Sequence, residues 1–231
     1  MKLPILSVLV VCCFLTISAS ASEKIAKVIA TEGVVTLSRY DRDLRITNKD
    51  WLFTDDRILT GKDSSVELQM IDGSLVNLGE YSNMVLLELV FDPVKKDGFI
   101  DLKIVSGAFR IISGTIAKFG PELMEITLPS ATVGIRGTSL LGRASKVGRP
   151  SFVILVPDPD GRVGEIVVQN TEGIVVLRKA DEGVSVIYPD KKIAKKKYTK
   201  KFIEDLIKQV PKLRHNILHE RQFNSLFWFR D

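Results

Sequence analysis

Three times between Lys27 and Leu177 the chain repeats one pattern: an apolar, β-branched run, a single glycine, and a second such run. The copies read KVIATEGVVTL around Gly33, LKIVSGAFRII around Gly107 and IVVQNTEGIVVL around Gly173. Short runs rich in valine and isoleucine suit a pleated surface and are too brief to bury one face of a helix. A glycine inside such a run marks a sheet corner or bulge, where a β-carbon would meet neighbouring backbone. The copies are 74 and 66 residues apart, too far and too unequal for a short-period solenoid.

The segment SVELQMIDGSLVNLG adds a hairpin signal. Val66, Leu68 and Met70 share one face of its first run, with Glu67 and Gln69 on the other. Asp72-Gly73 supplies the turn. A strict two-residue loop would set Leu68 opposite Asn77 and mix the faces, so a bulge or a longer loop is expected. Further turns are signalled at TGKDSS, DPVKKDG, GRASKVGRP and PDPDGRVG. Before Pro189 no run keeps a helical period. The predicted fold is all-β, a sandwich or roll of antiparallel strands and hairpins.

Both ends of the chain depart from this grammar. Lys2 precedes the apolar run LPILSVLVVCCFLTI, and the small residues Ala19-Ser20-Ala21 follow it, which predicts export with cleavage before Ser22. The run is too short to span a bilayer. Both cysteines lie within residues 1–21, so the exported chain is expected to hold no disulfide and no thiolate site. The expected location is periplasmic or secreted. From Ser22 to Pro189 there are 20 basic and 23 acidic residues, against 12 and 5 from Asp190 to Asp231. A near-neutral body over 22–189 therefore carries a basic tail over 190–231. The tail opens with KKIAKKKYTKK, and Phe202, Ile203, Leu206, Ile207 and Val210 follow at the spacing of one helix face. A second apolar series runs from Leu213 through Trp228, so two helices or one kinked helix are expected to hang from the body.

The stretch ATVGIRGT, Ala131 to Thr138, poses the sharpest chemical question. Gly134-Ile135-Arg136-Gly137 has the spacing of a phosphate clamp, but β-like segments flank it and no helix start follows to supply free amides. The reading is a structural turn involving Gly134, Arg136, Gly137 and Thr138, with Arg136 as a paired or partly buried cation that pins it. Together with DDRILTGKDSSVELQMIDGSLVNLG, LKIVSGAFRI and ITLPSATVGIRGTSL, this stretch resembles the FecR domain, a periplasmic module of regulators. The resemblance runs from about Ile25 to Ile187 and implies that the glycine stretch is strand and turn rather than phosphate loop. Leu128 stands where the family usually has threonine. Regulators of this family also carry a cytoplasmic anti-sigma segment, a membrane helix and a small domain that meets a transporter. None of these is recognisable here, so sigma-factor signalling is not expected.

Catalytic constellations are not legible. After the predicted signal the histidines are His215 and His219, both in the tail, and no nucleophile elbow occurs. Asp55, Asp56, Asp158 and Asp160 fall at turns, where solvated aspartates are the simple reading. His215 and His219 make at best half a zinc site, and PDPDG is an incomplete calcium loop. The chain is expected to be no enzyme, to use no cofactor or metal, and to bind no nucleic acid. It is read as an interaction or structural protein of the bacterial cell envelope, within a larger periplasmic assembly. The alternative is a sensory or ligand-binding module for cell-wall glycan or a small molecule. The tail supplies the contact surface, with Lys195, Lys196, Lys197, Lys200 and Lys201 for an acidic protein, lipid or glycan and Phe202, Leu206 and Trp228 for apolar surface. Oligomerisation stays open, as does the packing of the helix face back onto the body.

Overall fold

The structure, a computed structural model, describes residues 23–210. The first nine strands are β1 (Lys24–Glu32), β2 (Val35–Arg39), β3 (Arg42–Arg45), β4 (Trp51–Phe53), β5 (Arg57–Thr60), β6 (Ser65–Met70), β7 (Leu75–Leu78), β8 (Asn83–Asp92) and β9 (Asp97–Ile112). The rest are β10 (Met124–Leu128), β11 (Ala131–Arg136), β12 (Ser139–Ala144), β13 (Ser151–Val156), β14 (Glu165–Asn170), β15 (Gly173–Leu177), β16 (Glu182–Val186) and β17 (Lys195–Lys197). One helix, α1 (Lys200–Ile207), follows.

The strands form two sheets. Sheet A runs β4-β1-β6-β7-β9-β12-β13-β16-β17. Sheet B runs β3-β2-β5-β8-β9-β10-β11-β14-β15. The fold is all-β, as predicted. β9 belongs to both sheets: residues up to Ser106 pair with β8 and β10, and those from Gly107 onward pair with β7 and β12. Gly107 is the crossing point. Its φ of 102° is one that side chains rarely adopt, and a β-carbon there would run into Ser82. Gly33 likewise ends β1 in sheet A before β2 enters sheet B. Gly173 differs from the expected corner. It closes a hairpin opposite Asn170, and both flanking strands stay in sheet B.

One pairing departs from the antiparallel pattern: β10 lies parallel to the first half of β9, with Ile126 beside Leu102. The chain leaves β9 in sheet A, so it must cross back through two 3-10 turns, at Ile116–Lys118 and Pro121–Leu123, before it can pair in sheet B. Asp72 ties this crossover to the first hairpin. Its carboxylate accepts from the Ser74 amide (2.9 Å), the Ser74 hydroxyl (2.9 Å) and the Ile116 amide (3.3 Å), while burial pushes its pKa up. The hairpin has the longer loop that its faces required: Gln69 pairs with Leu75, and Met70 donates to the Ser74 carbonyl.

The core fills the space between the sheets, with Leu68, Val76, Phe109, Leu140 and Val153 from sheet A against Ile58, Leu86, Leu102, Ile126 and Val133 from sheet B. Side chains of this size each contribute about 1.5–3 kcal/mol on full burial. Asp56 corrects the reading of a solvated turn residue. It is fully buried and accepts two bonds from Arg39, Nε to Oδ1 at 2.7 Å and Nη2 to Oδ2 at 2.6 Å. The Phe53 amide donates to it at 2.8 Å, and the guanidinium lies 4.5 Å from the Phe53 ring. That fork holds the β4–β5 turn against β2, and the hydrogen bond to Asp56 raises the Arg39 pKa.

Candidate functional site

The lysine-rich segment does not begin as a helix. Lys195–Lys197 form β17, the edge strand of sheet A, paired with Glu182 to Val184 of β16. The β-body thus continues past the predicted boundary at residue 189. Lysines suit an edge strand because exposed charge discourages pairing with another chain. Lys195 Nζ is 3.3 Å from Glu182 Oε1, and Lys196 lies 4.7 Å from the Tyr198 ring.

Thr199 then caps α1, its hydroxyl accepting from the Phe202 amide at 3.3 Å. The apolar face of α1 packs on the outer face of sheet A. Ile203, Leu206 and Val210 join Ala108, Leu141, Ile154 and Val156 in a second apolar cluster, and Phe152, Tyr198 and Phe202 form an aromatic set beside it. Burial pushes the Tyr198 pKa up to about 12. Leu206, predicted as a partner contact, is therefore buried within this chain, and Phe202 is half-buried. The helix thus buries Ile203, Leu206 and Val210 of the predicted face against its own body, while Ile207 stays exposed. Beyond it, the Gln209 backbone crosses Gly79 so closely that a β-carbon there would collide with the Gln209 carbonyl.

What α1 leaves outward is charged, with Lys200 and Lys201 at its start and Glu204 and Asp205 after them, Asp205 pairing with Lys208 at 3.0 Å. Lys191, Lys192, Lys195, Lys196, Lys197, Lys200, Lys201 and Lys208 are all exposed, Lys195–Lys197 on the edge strand and Lys208 at the far end of α1. The sequence also nominated Trp228 and the His215–His219 pair; these lie outside the described residues, as do the predicted signal and the second apolar series.

The glycine stretch divides between strand and turn. Gly134 sits inside β11, between Glu125 of β10 and Val167 of β14, and its missing side chain admits the Pro121 carbonyl over the sheet. Gly137 takes a φ of 58° at the turn into β12, and Thr138 is buried, its hydroxyl donating to the Val156 carbonyl at 3.2 Å. Gly73 turns the first hairpin at φ 85°. Arg136 does not pin the turn. It is exposed, and its guanidinium has no hydrogen-bond or ion-pair partner among the described residues. It ends β11 opposite Glu165 of β14, yet Glu165 accepts instead from Arg178 Nε at 2.6 Å.

Sequence reasoning missed a polar row on the outer face of sheet A. Glu67, Asn77 and Arg110 are cross-strand neighbours, and Glu67 and Asn77 are buried. Glu67 Oε2, Asn77 Oδ1 and Arg110 Nε lack partners, and burial raises the Glu67 pKa while lowering that of Arg110. Strict alternation had put Glu67 on the opposite side from the core, but nothing local signals that this side is covered too. Among the described residues no group of three or more His, Cys, Asp or Glu is placed to hold a metal ion, and no helix is long and apolar enough to cross a membrane.

Residues 56–156 match the family model described as FecR protein. That span takes in β5 through β13, including both halves of β9 and the Arg136–Gly137 turn. No curated protein matches the chain. Two crystal structures of a protein from Parabacteroides distasonis, provisionally assigned as an anti-sigma factor, are similar at 16% and 17% identity with TM-scores of 0.48 and 0.49. In both, the match covers 64% of this chain and 62% of the other. The family match thus falls on the part of the chain built around β9, the strand that the two sheets share.

Proposed function

We propose that this protein is a non-catalytic, extracytoplasmic interaction protein of the bacterial cell envelope, and that its contact surface is the lysine edge of sheet A. The observation that carries the reading is the division of labour in the Lys191–Val210 segment. Ile203, Leu206 and Val210 are used internally, in one cluster with Leu141 and Ile154, while its lysines are held outward on a strand and a helix of defined geometry. A solvated tail would need no such anchoring. Fixing the cations in advance lowers the ordering cost of meeting an acidic surface and favours rapid, salt-dependent encounter. The FecR match and the export-like N-terminus support placement outside the cytoplasm, with the partner an acidic envelope protein or an anionic surface.

The test is affinity purification of the full-length protein from its native envelope, alongside the K192Q/K197Q/K200Q/K201Q variant. These four lysines are exposed, and their side chains make no hydrogen bond or ion pair among the described residues. Recovery of a defined partner or anionic lipid fraction that falls with added salt, and is lost in the variant, is the expected result. Equal recovery by both proteins would remove the lysine edge from the reading.

A further inference from the structure

A second cationic surface lies on the outer face of sheet B and differs in kind from the lysine edge, which it adjoins: Lys195 reaches the Val176 carbonyl (3.4 Å) and pairs with Glu182, whose carboxylate also accepts from the Arg178 amide (2.9 Å). Arg136, Gly137, Val163, Gly164, Glu165 and Arg178, with Lys118, line an open cleft of about 500 Å³. That volume falls within the range of small-ligand sites, about 300–1,000 Å³. The cleft is assembled from four separate parts of the chain. Lys118 ends the first 3-10 turn, Arg136 ends β11, Gly164-Glu165 opens β14 and Arg178 follows β15. Its floor depends on Gly164, where any β-carbon would strike the Arg136 and Gly137 carbonyls.

Charge decides what the cleft suits. Three cations face one carboxylate, and that carboxylate is already engaged by Arg178 Nε. The terminal nitrogens of Arg178, the whole Arg136 guanidinium and the Lys118 ammonium have no partner among the described residues. Arg136 and Glu165 are register partners, so the bond to Arg178 pulls the carboxylate away from Arg136 and leaves that guanidinium toward the cleft. The local balance is two positive charges. A phosphate monoester carries about −1.5 to −2 at neutral pH and offers three acceptor oxygens. Guanidinium groups meet such oxygens in a fork, and lysine adds a point charge. Val163 supplies apolar wall for the organic part of an ester.

We propose that this cleft binds a phosphate monoester through Lys118, Arg136 and Arg178. Glu165, held by Arg178 Nε at 2.6 Å, offsets one of the three positive charges and so competes with the phosphate. The phosphate can belong to a free small molecule or to a lipid headgroup.

The test is isothermal titration calorimetry of the full-length protein at low salt, with glycerol 3-phosphate as the probe and glycerol as its uncharged control. The expected result is saturable binding of the phosphate alone, weakened at least about tenfold in K118Q/R136Q. The E165Q variant should bind more tightly, because the competing charge is gone, and K192Q/K197Q/K200Q/K201Q should bind like the wild type. Flotation with phosphatidic acid vesicles identifies the source: K118Q/R136Q impairs flotation if the cleft takes a headgroup and leaves it unchanged if the cleft takes only the free ester. No saturable binding of glycerol 3-phosphate, or equal binding by K118Q/R136Q, would overturn the proposal, as would loss of binding in the lysine-edge variant. The proposal does not depend on the lysine-edge reading, and the two variant sets separate their failures.

Discussion

Sheets A and B share β9 and alternate along the chain, yet their outer faces are opposites. The outer face of sheet A presents Ala108, Leu141, Ile154 and Val156, and α1 lies across it with Ile203, Leu206 and Val210. That of sheet B presents Asp101, Lys103, Glu125, Arg136 and Glu165, and among the described residues only the short Pro121–Leu123 turn approaches it, at Gly134. Both faces belong to strands whose inner residues fill the same core, so core packing did not choose between them. The difference lies in the residues at the alternate positions. Where these are apolar, exposure is costly and the next amphipathic segment is captured, and that covering also buries the polar row of Glu67 and Asn77 on the same face.

The largest effect expected from this contrast is at Leu206. A buried aspartate there has no cation to pair with inside the cluster, so L206D should cost more than about 3 kcal/mol. Hydrogen exchange should show the amides of Lys200–Ile207 losing protection while those of β10 and β11 keep theirs. Simultaneous loss in both sheets would mean that the faces are not independent. A smaller cost is expected for G79A, whose new methyl meets the Gln209 carbonyl. Overpacking of this kind costs about 1–3 kcal/mol, and exchange should locate it to the end of α1.

Glu67 gives an effect of opposite sign. Burial raises its folded pKa above the ordinary 4.5, so the folded protein holds that proton more tightly than the unfolded chain. The group's contribution is most favourable below the unfolded value and is lost as pH rises through the folded one. E67Q removes that loss. A thermal melt at pH 7 should therefore rise by roughly 2–4 °C, with the gain disappearing near pH 4. Unchanged melting at both values would show that water or another group already satisfies the carboxylate. The smallest effect belongs to sheet B, where the exposed Arg178–Glu165 pair should be worth little: E165Q should change stability by less than about 0.5 kcal/mol in urea unfolding.

Much of the fold was legible because β signals are local. The glycine-broken runs, the Asp72-Gly73 turn and the switch of grammar after Pro189 follow from neighbouring residues. The errors share a cause. Asp56 read as solvated because its partner, Arg39, lies on another strand, and Arg136, read as paired, has no partner because Glu165 beside it is taken by Arg178. The cleft residues come from positions 118, 136–137, 163–165 and 178, and no single window contains them.

By itself, the order of residues determined strand character, the bends at Gly33 and Gly107 and the separation of a near-neutral body from a basic end. These depend on steric and patterning rules that act within a few residues. Only the tertiary structure decided that Gly173 turns a hairpin, that Lys195–Lys197 guard an edge, that Leu206 faces inward and that Arg136 faces a cleft. Each of those outcomes depends on which distant strand lies alongside, because burial and ion pairing are properties of neighbours in space.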